Sequence, residues 1–90
     1  MKAKVENMEG RSGNAVPNQF ILTTEKGRYF QSYRSIIVFR PYGGKTQLDK
    51  TYWDYSKTTI KYRNKFLGED TKIIKSKIKS GIYKLVNLNN

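Results

Sequence analysis

One segment constrains the fold more than any other. Ile36-Ile-Val-Phe39, entered from Ser35 and closed by Pro41, is the longest continuous apolar run in the chain. A short run that is apolar on both faces and rich in β-branched residues reads as a strand covered on both sides, so it belongs in the middle of a sheet. Its neighbours fit around it. Gln19-Phe-Ile-Leu-Thr-Thr24 and Arg28-Tyr-Phe-Gln-Ser-Tyr33 are β-type runs separated by Glu25-Lys-Gly27, and the pair reads as a hairpin. Pro41-Tyr-Gly-Gly44 is a second turn, after which Lys45-Thr-Gln-Leu48 reads as a short edge strand.

Beyond Asp49 the pattern turns helical. Asp54 or Ser56 caps a helix running to Leu67 with Gly68 as its stop. Asp70 or Thr71 caps a second that ends at Ser80 and is closed by Gly81. Ile82-Tyr-Lys-Leu-Val86 reads as a last strand returning to the sheet. The expected fold is α+β: an antiparallel sheet of four to five strands with two short helices on one face, in ββββααβ order. Residues 1–18 are polar and lack apolar periodicity. They read as a flexible or loop-like N-terminal segment ahead of one small domain over 19–90.

Hydrophobic residues make up only 37% of the chain, but aromatics reach 13%. A core short of Leu and Val must use its rings, so Phe20, Phe30, Phe39, Trp53 and Phe66 are expected inside. Tyr33, beside Arg34, and Tyr42, in a Gly-rich turn, are expected outside.

Eighteen Lys and Arg against seven Asp and Glu leave a formal charge of +11. That exceeds what solubility requires and points to a polyanionic partner. The second half carries the stronger field, and residues 71–84 hold five Lys and no acid. Lys57, Lys61 and Lys65 recur every fourth residue along the first helix; Lys72, Lys75 and Lys79 lie opposite Ile74 and Ile78 on the second. A solvated amphipathic helix looks the same. With Arg34, Arg63 and Tyr42, these lysines are the candidate residues for binding nucleic acid or a nucleotide. Rings interleave with the basic groups, as in Tyr33-Arg34 and Lys61-Tyr62-Arg63, the pattern of platforms that stack unpaired bases. A compact nucleotide pocket would instead draw on Gly10-Arg-Ser-Gly-Asn14 and Tyr42-Gly-Gly-Lys45, which also read as plain turns.

The chain has neither His nor Cys. That removes the usual zinc ligands, cysteine nucleophiles and imidazole acid–base catalysis, and no cofactor is expected. Asp49 and Asp54 make a poor metal pair, and small basic toxin ribonucleases begin with a different element order, so the expectation is a protein that is not an enzyme. No run approaches the roughly 18 apolar residues of a membrane span, and a bacterial cytoplasmic location is expected.

Val16-Pro-Asn-Gln-Phe20, Gly27-Arg-Tyr-Phe-Gln-Ser-Tyr33, Ser35-Ile-Ile37, Leu48-Asp49, Tyr52-Trp-Asp-Tyr-Ser56, Lys61-Tyr-Arg63, Phe66-Leu-Gly68 and the stretch from Lys79-Ser-Gly81 to Leu88-Asn89 carry a resemblance to a family of small bacteriophage and prophage proteins. The resemblance implies a phage gene product acting in a bacterial host, and brings no catalytic or ligand residues with it. The expected function is a phage-type accessory protein that binds nucleic acid or a nucleotide through its basic face. The alternative is an antagonist of host defence, acting as a protein-binding inhibitor or a nucleotide-signal sponge.

Overall fold

The computed structural model describes residues 3–89. Six strands, β1 (Lys4–Glu9), β2 (Ala15–Thr23), β3 (Gly27–Ser32), β4 (Ser35–Pro41), β5 (Gln47–Asp49) and β6 (Lys84–Val86), form one sheet in sequence order. Helices α1 (Lys57–Leu67) and α2 (Thr71–Lys79) lie between β5 and β6 in the chain. The fold is α+β, with more strands than the four to five expected. The additional strand comes from the segment expected to be a tail. β1 pairs with β2 from Lys4↔Thr23 to Glu9↔Ala15, and Met8 alone of its residues is buried. Backbone pairing rather than a hydrophobic stripe makes it a strand, which is why apolar periodicity does not reveal it.

The sheet is also mixed instead of antiparallel. β1 to β5 form an antiparallel meander, but β6 runs parallel to β5. A helical excursion over one face returns the chain in the direction it left, as a parallel pair requires. β5 is therefore an inner strand, with β4 and β6 on its flanks, and not an edge.

α1 packs on β3 and β4, with Phe66 stacked on Phe30 at a centroid distance of 5.9 Å. In β4 the register shifts opposite Phe30 and Gln31, leaving Ile37 as the extra residue, and Ile37 and Val38 are both buried. A bulge of this kind explains how two adjacent residues escape solvent together. Phe30 and Phe66 are core residues as expected; Phe20, Phe39 and Trp53 are half-buried. Phe39 stacks at 4.3 Å on its cross-strand partner Tyr29, on the face away from Phe30.

Two side chains hold the end of the chain against the sheet. Asp49 Oδ2 accepts from the backbone N–H groups of Thr51 (3.0 Å) and Tyr52 (2.9 Å), and Oδ1 accepts from Leu88 N–H at 2.8 Å. The Asn89 amide accepts from Ile36 N–H at 2.7 Å and donates to Ile36 O at 2.8 Å. Asn89 thus acts as one residue of additional strand beside β4.

Candidate anion-binding surface and tyrosine cleft

Capping sets which helix faces turn outward. The Ser56 hydroxyl accepts from Thr59 N–H at the start of α1, and Gly68, at φ 70°, closes it by donating to Asn64 O. Thr59, Tyr62, Arg63, Phe66 and Leu67 are buried, so Lys57, Lys61 and Lys65 project on the other side. Lys61 also lies 5.4 Å from the Tyr62 ring centroid, and the Lys65 ammonium donates to the Glu9 carbonyl. In α2, Asp70 accepts from Ile73 N–H at the N-terminus and Ile74 is fully buried. Lys72, Lys75 and Lys79 are exposed.

Most of the acids are engaged elsewhere in the fold, although Glu6 and Glu9 share a groove with Lys65. Asp49 is buried among backbone N–H groups, Asp70 is a cap, and Asp54 pairs with Arg63 at 3.1 Å. Glu69 accepts from the Lys77 ammonium and the Tyr83 hydroxyl. Burial works against its charge, but those two donors outweigh it and hold the Glu69 carboxyl below its ordinary range. Glu6 lies 3.8 Å from Lys4 at the surface. Among the described residues, Arg34, Lys57, Lys61, Lys65, Lys72, Lys75 and Lys79 have no carboxylate partner. The field of the two helices is largely uncompensated because most of the acids serve the fold.

A cleft of about 470 Å³ opens at the N-terminal end of α1. Tyr33, Tyr52 and Tyr55 line it together with Arg34, over a floor that includes Ser32 and Thr59. The floor is a hydroxyl relay: Ser32 Oγ and Thr59 Oγ1 are 2.9 Å apart, and Ser56 Oγ donates to Thr59 Oγ1 at 3.1 Å. Tyr52 and Tyr55 meet edge to face at 5.5 Å. Tyr33 and Asn18, both lining the cleft, have φ values of 57° and 65°, and Tyr33 N–H donates to Asn18 O at 2.7 Å. For Tyr33 the left-handed conformation is the one a two-residue hairpin turn between β3 and β4 requires at its first position.

A family model matches residues 3–81. The chain belongs to DUF8033, a family of unknown function. No curated protein and no solved structure is detectably similar to it. The function of this DUF8033 protein must therefore be argued from its own geometry.

One predicted binding residue is misplaced by the sequence reading. Arg63 is not on the basic face: its side chain is fully buried. Nη1 donates to the Trp53 carbonyl and to Asp54, and Nη2 donates to Asn64 and Thr71. Burial pulls the guanidinium below its ordinary pKa, opposed by Asp54. Arg63 belongs to the i, i+3, i+4, i+7, i+8 series of buried positions 59, 62, 63, 66 and 67, and that spacing was the available signal.

Tyr42 is exposed as expected, but in the turn after β4, the far end of that strand from Arg34. The seven residues of β4 separate them by about 20 Å. Of the predicted residues only Arg34 lines the cleft, while Lys57 directly follows its Ser56 wall. The two glycine segments are turns, as their composition also suggests. Gly10 N–H donates to Asn14 O and Gly13 N–H to Gly10 O within the β1–β2 turn, and Lys45 ties the other turn to Gly81 O. Sequence reasoning missed the cleft because its walls come from separate stretches around 18, 32–37 and 52–59.

Proposed function

We propose that this protein is a non-enzymatic binder of nucleic acid, using the lysine faces of α1 and α2. The single observation that carries the reading is the partial segregation of charge: exposed lysines without ion-pair partners among the described residues, and most of the acids committed to caps, backbone amides or pairs within the fold. Such a surface neutralises phosphates and releases counterions, with little base readout from the lysines themselves. Asp49 and Asp54, the only carboxylates the sequence offered for a metal, already serve backbone amides and Arg63, which supports binding over catalysis. The context we propose is that of a phage accessory protein acting in a bacterial cytoplasm.

The test is a titration of the purified chain with short single- and double-stranded oligonucleotides at about 50 and 200 mM salt, across which a multi-phosphate contact loses orders of magnitude in affinity. Steeply salt-dependent binding is expected. Absence of binding at the lower salt overturns the reading.

A second reading, a protein-binding inhibitor of host defence, is favoured by one observation. Ile73 and Ile82 are 44% and 54% exposed and share a groove with Lys72. An acidic surface with an apolar anchor would suit that groove, and its capture by this chain in place of nucleic acid would select this reading.

A further inference from the structure

We propose that the cleft walled by Tyr33, Tyr52 and Tyr55 takes one unpaired nucleotide, its base stacked on a tyrosine and its phosphate held by Arg34. The inference deepens the nucleic-acid reading, on which it rests, by naming the unit recognised.

The rings carry the argument first. Tyr33 and Tyr55 are 53% and 70% exposed, in a chain that must build its core from aromatics. Both stand at one cleft, and Tyr52 props Tyr55 edge to face at 5.5 Å and 77°. At 70% exposure Tyr55 leaves ring surface open to solvent, and a base is the flat partner that fills such a face whatever its sequence. The backbone supports the placement. Tyr33 takes φ 57° as the first residue of the two-residue turn between β3 and β4, and its N–H bond to Asn18 O ties that turn to the other wall of the cleft.

Chemistry of the remaining wall narrows the class. Arg34 lines the cleft without a carboxylate partner among the described residues, and no acid lines it. An arginine in that state suits a phosphate, which it can grip with two parallel N–H donors. Ser32 and Thr59 are almost fully buried and bonded to each other, so one hydroxyl proton of the pair is left to donate toward a base edge. The volume of about 470 Å³ lies within the usual range for small-molecule sites. Lys57 and Lys61 then lead away along α1, about 6 Å apart by helical rise, as supports for neighbouring phosphates.

The nucleotide can belong to a strand or be free, and one experiment separates the two. The full chain is titrated with a mixed-sequence single strand, its duplex, the same strand made abasic, and the 5′-nucleoside monophosphates. Wild type is compared with Tyr55→Ala, Tyr55→Trp and Arg34→Ala. Tyr55→Ala should weaken the single strand roughly 5- to 100-fold and leave the duplex unchanged, while Tyr55→Trp, which keeps a stacking face, restores binding. Arg34→Ala should reduce the single-strand salt slope by about 0.7. Tight binding of a monophosphate without the strand keeps the cleft and overturns the lysine-surface reading. Equal affinity for the intact and abasic strands, unchanged by Tyr55→Ala, overturns the cleft and leaves the lysine surface standing. If no ligand binds at low salt, both fail.

Discussion

Arg63 holds Trp53 twice: Nη1 donates to its backbone carbonyl at 2.6 Å, and the guanidinium carbon lies 5.3 Å from its ring centroid. The same arginine reaches Asp54, Asn64 and Thr71, so it joins the 50–54 turn, α1 and the start of α2. Its charge stabilises the fold and takes no part in the surface field.

Arg63→Ala should therefore destabilise the protein by about 3–5 kcal/mol, because it empties a fully buried site and orphans several partly buried partners at once. Asp54→Ala should cost less, about 2–3 kcal/mol, since it leaves a fully buried guanidinium without its counter-charge but Arg63 keeps its neutral acceptors. Denaturant unfolding of the two variants checks the order. Equal losses would mean that the ion pair, rather than the whole set of contacts, is what matters.

Asp49 gives the fold an acid limit. Burial opposes its charge, but the N–H groups of Leu88, Tyr52 and Thr51 prevail and hold its pKa below the ordinary 3.8. A carboxyl depressed on folding stabilises fully above that ordinary value, and the contribution disappears as pH falls through the lower, folded one. Asp49→Asn should unfold more easily at neutral pH, by about 3 kcal/mol. The gap to wild type should close below about pH 4 in a pH series of thermal melts.

Gly27 and Gly43 should respond oppositely to alanine. A Cβ at Gly27 would stand 2.3 Å from Arg40 O and 2.7 Å from Pro41 Cα, on a residue at φ 155°. Relief requires β3 and β4 to separate, and a loss of 2 kcal/mol or more, as for roughly comparable overpacking, is expected. Gly43 meets nothing within 4 Å, so Gly43→Ala should be neutral or stabilise by about 0.5 kcal/mol through the unfolded chain. Melting temperatures of the pair decide the matter.

Gln19 is fully buried, and neither its amide nitrogen nor its oxygen has a partner among the described residues. Gln19→Met keeps the volume and removes the unmet polar atoms, so it should stabilise by about 1–2 kcal/mol. A loss of stability by calorimetry would contradict this account of the site.

Much of the local structure was legible. Ser56, Gly68 and Asp70 announce the helix ends because caps obey nearest-neighbour chemistry. The run over 35–39 identifies an inner strand because its apolar signature is continuous, although a bulge at Ile37, rather than burial on both faces, hides its two adjacent buried residues. What failed depended on distant partners. β1 has almost no buried side chains and exists through its pairing with β2. Arg63 has the spacing of a buried position, but its charge reads as surface because the acceptors that permit its burial lie on other segments. The cleft joins residues from Asn18 to Thr59, with no spacing that a linear reading can detect.

The Asn89 amide that completes the flank of β4 lies 53 residues beyond its partner Ile36. The meander of β1 to β4 can close between neighbours as it leaves the ribosome, since each pairing spans a short loop. The flank of Ile36 must then wait, unpaired, for residues made much later. During that interval β5 covers Val38 and Phe39, but the adjacent Ile36 keeps an open edge within the most apolar stretch of the chain, the kind of template on which nascent chains stick to one another. Synthesis, more than the finished fold, is the stage at which this protein is most exposed to aggregation.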